Sequence, residues 1–311
     1  MVITEINEEE KLTNLKNDIF IHHLFSDPQD SKKRPFFKII IEDILHLEFD
    51  EIEVLTPKLT PSTYLQKDMT VDIRAKLKDG PYINIEMQQS ASLSIHFDRF
   101  NAYGFQMVTD QYKIGKPYSE TEKVYQIIIT NTTNIPDDFM IDWWEIHNRK
   151  GNTRDDFPII QVVFYIQYIN KILEEKTLDL LDHTELFAYL LDKGVTHDIL
   201  ALEEKEVVGN MSDILDEFNE DKDLRLMALS RELELQAIEE DMANERASGH
   251  EEGISIGELK ATKSKVIQLF NAFYPNEEAT FLNDLTIQQY DLIFDALLKH
   301  QSVEELKSLI K

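Results

Sequence analysis

Two neighbouring segments constrain this chain most: Met69–Leu77 (MTVDIRAKL) and Tyr82–Gln88 (YINIEMQ) alternate strictly between apolar and polar residues. A period of two marks a half-buried β-strand. Between them stands Lys78-Asp79-Gly80-Pro81, and Asp-Gly is a tight-turn signal. The two strands therefore form a hairpin whose register follows from the pattern. A two-residue loop sets Ala75 opposite Asn84 and Ile73 opposite Glu86, apolar against polar. A three-residue loop of Asp79, Gly80 and Pro81 sets Leu77 opposite Ile83, Ala75 opposite Ile85 and Ile73 opposite Met87. All the apolar residues then share one face, and Pro81, which has no N–H, stays out of the ladder. A one-residue slip would flip every side chain, so the pattern selects the second register.

That register has a consequence for the other face. Asp72 lies opposite Gln88, Arg74 opposite Glu86, and Asp72 and Glu86 become diagonal neighbours whose carboxylates can converge. Two carboxylates on adjacent strands suit Mg²⁺ or Mn²⁺, which take hard oxygen ligands. Such an ion can be shared with a phosphate, can activate water and can stabilise charge building on a phosphoryl group. The same pattern also fits an ordinary solvated face of a half-buried sheet.

Along the rest of the chain, helices are expected at 9–26 and, opened by Pro35, at 35–47. Strands follow at 51–55, 69–77 and 82–88, then a helix at 94–112 and strands at 124–130 and 158–166. This order predicts an α/β or α+β mixed sheet flanked by helices. From about residue 180 onward the pattern is helical, with helices near 184–192, 198–208, 212–247, 258–274 and 287–310. We therefore expect a domain over 1–180 and an acidic helical C-terminal region over 181–311. Gly249, Gly253 and Gly257 recur at intervals of four, which marks either a break between helices or a close helix–helix approach in an assembly.

Composition narrows the function classes. The chain has 311 residues and a formal net charge of −27, which argues against a general positive coat for nucleic acid or anionic membrane. Residues 201–311 alone hold 25 acidic and 11 basic side chains. There are no cysteines, so disulfides, thiolate metal sites and cysteine nucleophiles are excluded. The apolar runs are too short to cross a bilayer, and the acidic N-terminus does not resemble a targeting peptide, so no membrane association and a cytoplasmic location are expected.

Asp72, thirteen residues, then Glu86-Met87-Gln88 resembles the D…ExK core of the PD-(D/E)XK nuclease superfamily. More narrowly, VDIR followed by INIEMQ is similar to the Rpn family of recombination-promoting nucleases, the PD-(D/E)XK nuclease family transposases. Arg99 and Tyr103 resemble that family's R-x-x-Y-Y element, and Gly115 and Tyr118 its G-x-x-Y. DIFIHHLF (18–25) is similar to its D-x-x-F-K-x-x-F opening, with His22 where Lys is usual. The resemblance covers about residues 15–175, and EEGISIGE is similar to the family's Gly/Glu-rich tails.

The resemblance implies a restriction-endonuclease-like α-β-β-β-α-β core and a Mg²⁺- or Mn²⁺-dependent DNA endonuclease acting in recombination or transposition. It makes Asp72 and Glu86 the metal ligands. Gln88 stands in the place of the superfamily's lysine, where it can hydrogen-bond the attacking water but brings no charge. Lys67, Arg74 and Arg99 would meet phosphate, and Tyr103, one turn from Arg99, would line the site or brace Glu86. Asp18 and Glu42 would extend the metal shell or be plain surface acids; Trp143 and Trp144 would stack on bases or pack internally. His96 has no assigned part. Two other readings stay open: a nuclease-like domain without activity that assembles through its helical tail, and a transposition factor that binds DNA without cutting it. Self-association through the C-terminal helices is expected in either case.

Overall fold

The computed structural model describes residues 14–59, 69–88, 94–115 and 117–310. Two compact units divide the chain, Met1–Leu233 and Glu234–Lys311.

The first unit is built on a six-stranded sheet. Its strands are β1 (Ile52–Leu55), β4 (Ile73–Leu77), β5 (Tyr82–Gln88), β6 (Val124–Thr130), β7 (Ile141–Trp144) and β8 (Ile159–Tyr165), in the spatial order β1-β4-β5-β6-β8-β7. A separate two-stranded ladder joins β2 (Lys58–Leu59) to β3 (Met69–Thr70). β5, β6 and β8 run parallel, while β1, β4 and β7 pair antiparallel. Every residue of β6 is buried, as expected of a central parallel strand covered on both faces. The mixed sheet flanked by helices is the architecture that the element order implies. β7 was not expected: IDWW is too short and too irregular in polarity to carry a period-two signal.

One face of the sheet is covered by α3 (Ser94–Thr109), through Phe100, Tyr103 and Met107 against Val124, Ile128, Ile159 and Val163. The other face is larger. It takes α1 (Asp18–Leu24), α2 (Arg34–Lys38, running on through the wider turn Ile39–Ile44), α5 (His183–Lys193) and α7 (Glu206–Glu220). The short helices α4 (Ile169–Ile172) and α6 (His197–Leu200) connect these pieces. Phe187 of α5 packs on Phe25, Phe36 and Phe164, so α5 closes the same core that β8 and the first helices form.

The expected boundary near residue 180 therefore moves to 233/234. Helical composition marked a change of secondary structure, but Leu186, Leu190, Val208, Met211 and Phe218 are needed to cover the sheet. α1 also starts later than expected, at Asp18, because the Asn17 side chain caps it by accepting the Ile19 N–H at 3.0 Å. The part of that expected helix before residue 14 lies outside the described residues.

α8 (Lys222–Phe273) is one helix through Gly249, Gly253 and Gly257, not two helices with a break. A glycine costs a helix interior only about 1 kcal/mol against alanine, and these are spaced among strong helix formers. Among the described residues, nothing beyond the helix's own neighbouring backbone lies within 4 Å of where a Cβ would stand at Gly253 or Gly257, so neither mediates a close approach to them. The second unit holds the last turns of α8 with α9 (Ile287–Leu298) and α10 (Val303–Ser308) around Val266, Phe270, Tyr290, Ile293 and Leu306. The expected helix 287–310 is two helices, parted at His300 with φ 55° and restarted by the Ser302–Glu305 capping box. Among the described residues, no helix is long and apolar enough to cross a membrane.

Candidate active site

The hairpin pairs Ile73 with Ile85, Arg74 with Asn84, Ala75 with Ile83 and Lys76 with Tyr82. This is two residues from the expected register. The faces are nonetheless as expected, because a shift of two preserves the side-chain period. Asp79 adopts φ 53° at the turn, Gly80 N donates to Leu77 O at 3.2 Å, and Leu77 N donates to Pro81 O at 3.1 Å. Pro81 thus joins the pairing through its carbonyl alone, a use the sequence reading did not weigh.

The shift brings Asp72 alongside Glu86 instead of opposite Gln88. The expected strand 69–77 is also interrupted: Val71 N bonds Pro57 O at 3.1 Å, and Asp72 sits in a bend before β4. At this bend side chains replace the backbone ladder. Asp72 Oδ2 accepts from Met87 N at 2.7 Å, and Asp72 N donates to Glu86 Oε1 at 3.3 Å. The Asp72 carboxylate is thus held by the Met87 N–H and the Glu86 carboxylate by the Asp72 N–H, at the carboxyl end of β5. That is where open α/β sheets place their ligands.

Glu86 is 1% exposed, on the face of β5 that α3 covers. Burial and then the Asp72 charge push its carboxyl up to about 8, against the opposing pull of Arg99. Burial likewise pushes Asp72 up to about 6, opposed first by the Met87 N–H. Near neutral pH the pair therefore tends to keep a proton. Arg99 Nη2 lies 3.9 Å from Glu86 Oε2, and its guanidinium sits over the Tyr103 ring at 5.7 Å. Burial raises the Tyr103 hydroxyl. Arg99 and Tyr103 are thus on the helix face that meets Glu86.

α3 is held in place by Gln126 and Gln161, two of a row of three amides. Asn84, Gln126 and Gln161 are register partners across β5, β6 and β8. Gln126 Nε2 bonds Phe100 O at 2.8 Å, while Gln161 Nε2 bonds Gln126 Oε1 at 3.1 Å and Asn101 Oδ1 at 3.0 Å. Gly104 lets the helix come this close, since a Cβ there would stand 2.6 Å from Gln126 Oε1. Gly104→Ala should lower stability by about 1–2 kcal/mol, the lost amide bonds outweighing the roughly 1 kcal/mol of helix propensity gained. Urea unfolding checks this. An unchanged midpoint would mean that α3 can ride outward freely.

The remaining candidates fall in different places. Gln88 is buried at the end of β5, beside Thr130 of β6. Arg74 does not meet Glu86; the two-residue shift places it across from Asn84, 3.9 Å from Asp110 and over Tyr82. Lys67 lies outside the described residues. Glu42 lines a separate open cavity with Asp43, His46 and His183. Trp143 stacks on His46, and Trp144 lies half exposed beside Phe97. Asp18 is close enough to raise the Asp72 carboxyl, and its Oδ2 accepts from Arg231 Nε at 2.8 Å. Arg231 was missed by sequence reasoning. It sits in a helix-rich stretch far along the chain, and no local motif says what it faces. Among the described residues, no group of three or more His, Cys, Asp or Glu side chains could hold a metal ion.

The model for PD-(D/E)XK nuclease family transposases matches residues 15–235. The chain belongs to this family. No curated protein and no solved structure matches it. In this PD-(D/E)XK family member the match ends within two residues of Leu233, so family domain and first compact unit stop together. Helices α5 to α7 are part of the nuclease-family domain, not an appended tail.

Proposed function

We propose that this PD-(D/E)XK nuclease-family domain hydrolyses DNA phosphodiesters with a divalent cation held by Asp72 and Glu86. The observation that carries the reading is the locked pair of carboxylates itself. The carboxylates of buried Glu86 and half-buried Asp72 are neighbours and repel, and the Arg99 guanidinium is 3.9 Å from Glu86. A divalent ion would relieve that repulsion, and Mg²⁺ is commonly held by only two carboxylates, its other positions filled by water and phosphate. When bound, it would lower the pKa of a coordinated water and offset phosphate charge. Asp72 is oriented for this by the Met87 N–H, and Glu86 by the Asp72 N–H. Arg99 would face the phosphate from α3, and Gln88 would hold the water through its amide.

Plasmid DNA incubated with Mg²⁺ tests the reading: nicking that stops with EDTA supports it, and intact DNA at all Mg²⁺ and Mn²⁺ concentrations overturns it. The rival reading, a nuclease-like protein without activity, is favoured by the uncharged, buried Gln88. It predicts that Mn²⁺ does not bind.

The second unit is read as the assembly part. Ile254, Ile256, Leu292 and Leu298 are about half exposed on its helices. Light scattering should show the full chain as a dimer or larger and a chain ending at Leu233 as a monomer. Equal monomeric masses would remove this role.

A further inference from the structure

Gly115 and Tyr118, the G-x-x-Y residues, have no part in the carboxylate site. They lie past the carboxyl end of α3, where the chain from Asp110 to Glu122 frames a cavity of about 600 Å³ over the start of β5. Lys76 of β4 and Tyr82 of β5 line it from the sheet, and Tyr112, Lys113, Ile114 and Tyr118 line it from the loop. We propose that this cavity holds an unpaired nucleotide of a DNA strand, its base stacked on the tyrosine rim and its phosphate met by Lys113. The choice of DNA as the ligand rests on the nuclease reading above.

Tyr118 is 80% exposed, Ile114 fully exposed and Tyr112 about half exposed. One such side chain is ordinary on a protein surface, but three around one cavity form a patch of the kind that marks an interaction site. A core role does not account for Tyr118, so little of which is covered. The loop is nonetheless built to present it. Gln111 Nε2 donates to Glu122 O at 3.2 Å and Gln111 Oε1 accepts from Glu122 N at 2.9 Å, which ties the two ends of the loop together. Gly115 turns the chain at φ 86°, in the left-handed region that favours glycine. Tyr118 then returns to meet Tyr112 edge-on, with ring centroids 5.2 Å apart.

The charges decide between a nucleotide and a bare anion. Lys76 Nζ stands 4.6 Å from the centre of the Tyr82 ring, and Lys113 is exposed at the rim. Glu120 and Glu122 line the same cavity, and Asp110 is faced by Arg74 at 3.9 Å. Two lysines among these carboxylates make a poor trap for an isolated phosphate. Aromatic faces give affinity for any base, and carboxylates accept from the amino groups that bases carry. The cavity also lies close to the carboxylate pair. Arg74 joins the two, since it follows Asp72 on β4 and its guanidinium sits over Tyr82 at 5.8 Å. From Asp72 to Lys76 is four residues of extended chain, about 13 Å. At about 3.4 Å per stacked nucleotide, that is a few nucleotides of one strand.

Tyr118→Ala, Tyr118→Phe and Lys113→Gln test the proposal in the full-length protein. The measurement is the anisotropy of a labelled single-stranded oligodeoxynucleotide in EDTA, so that binding is read apart from cleavage. The wild type should bind the single strand at least tenfold more tightly than a blunt duplex of the same sequence. Tyr118→Ala should weaken single-strand binding roughly tenfold, the loss of one base stack, at an unchanged unfolding temperature. Tyr118→Phe should bind like the wild type, because the ring and not the hydroxyl does the stacking. Lys113→Gln should lower the slope of log affinity against log salt by about 0.7, one phosphate contact on a single strand. No binding by the wild type, equal binding by Tyr118→Ala, or a duplex bound as well as the single strand overturns the inference and leaves the nuclease reading to the plasmid assay. Weakened binding with a lowered unfolding temperature also overturns it, because Tyr118 would then be supporting the loop. An unchanged salt slope in Lys113→Gln removes the phosphate contact. A wild type that binds through Tyr118 but does not cleave plasmid keeps the cavity and loses the nuclease reading.

Discussion

Asp72→Asn should cut Mg²⁺-supported plasmid cleavage by roughly 100–1,000-fold while the protein stays folded. The size follows from the several kcal/mol of charge stabilisation that a metal ion supplies, at about 1.4 kcal/mol per tenfold. Asparagine is the better substitution because of what Asp72 does in the fold. Its Oδ2 accepts the Met87 N–H at the point where the β4–β5 ladder stops. An asparagine oxygen can still accept that bond, whereas Asp72→Ala leaves the amide unpartnered at a cost of about 1–3 kcal/mol. Both variants should lose cleavage, and only the alanine should lose stability. Cleavage by Asp72→Asn at the wild-type rate would remove Asp72 from the site.

Metal-free stability should fall as pH rises from about 4.5 to 8, and Glu86→Gln should flatten most of that fall. The sign follows from the direction of the shifts. The Asp72 and Glu86 carboxyls are raised to about 6 and about 8, from ordinary values of 3.8 and 4.5. Between those limits the folded state holds protons that the unfolded chain has released. The pair's contribution is fully present below the unfolded values and is lost as pH climbs through the folded ones. The loss is on the order of a few kcal/mol, and it is read as the wild-type minus Glu86→Gln difference in urea midpoints across that range. Saturating Mg²⁺ or Mn²⁺ should oppose it, since an ion takes the place of the proton; at one hundred times its dissociation constant it adds about 2.7 kcal/mol. A wild-type pH profile matching that of Glu86→Gln would mean that the carboxylates do not repel in the folded protein.

The two predictions rest on different levels of information. That Asp72 and Glu86 share a face with Asn84 and Gln88 was readable from alternation alone, because faces depend only on parity. Which residue lies beside Asp72 was not readable. Asp79 at φ 53° and the use of the Pro81 carbonyl shift the register by two, and parity cannot detect such a shift. The shift replaces Gln88 by Glu86 as the neighbour of Asp72 and takes Arg74 away to Asp110. Arg99 and Tyr103 were legible as an i, i+4 pair on a helix, but their closeness to Glu86 depends on Gly104 and the amide row beneath α3.

The sequence by itself determined the local choices: that 82–88, 124–130 and most of 158–166 are strands, which faces of the hairpin are apolar, and which family the core motif resembles. Each follows from neighbours a few residues apart, where backbone sterics and side-chain period act directly. Tertiary structure alone decided that α5 and α7 complete the sheet's cover, so that the first unit runs to Leu233. It alone paired Asp18 of α1 with Arg231 of α8. Those outcomes depend on burial and long-range packing, in which helices distant in the chain compete to cover one apolar face, and no local pattern encodes which of them arrives.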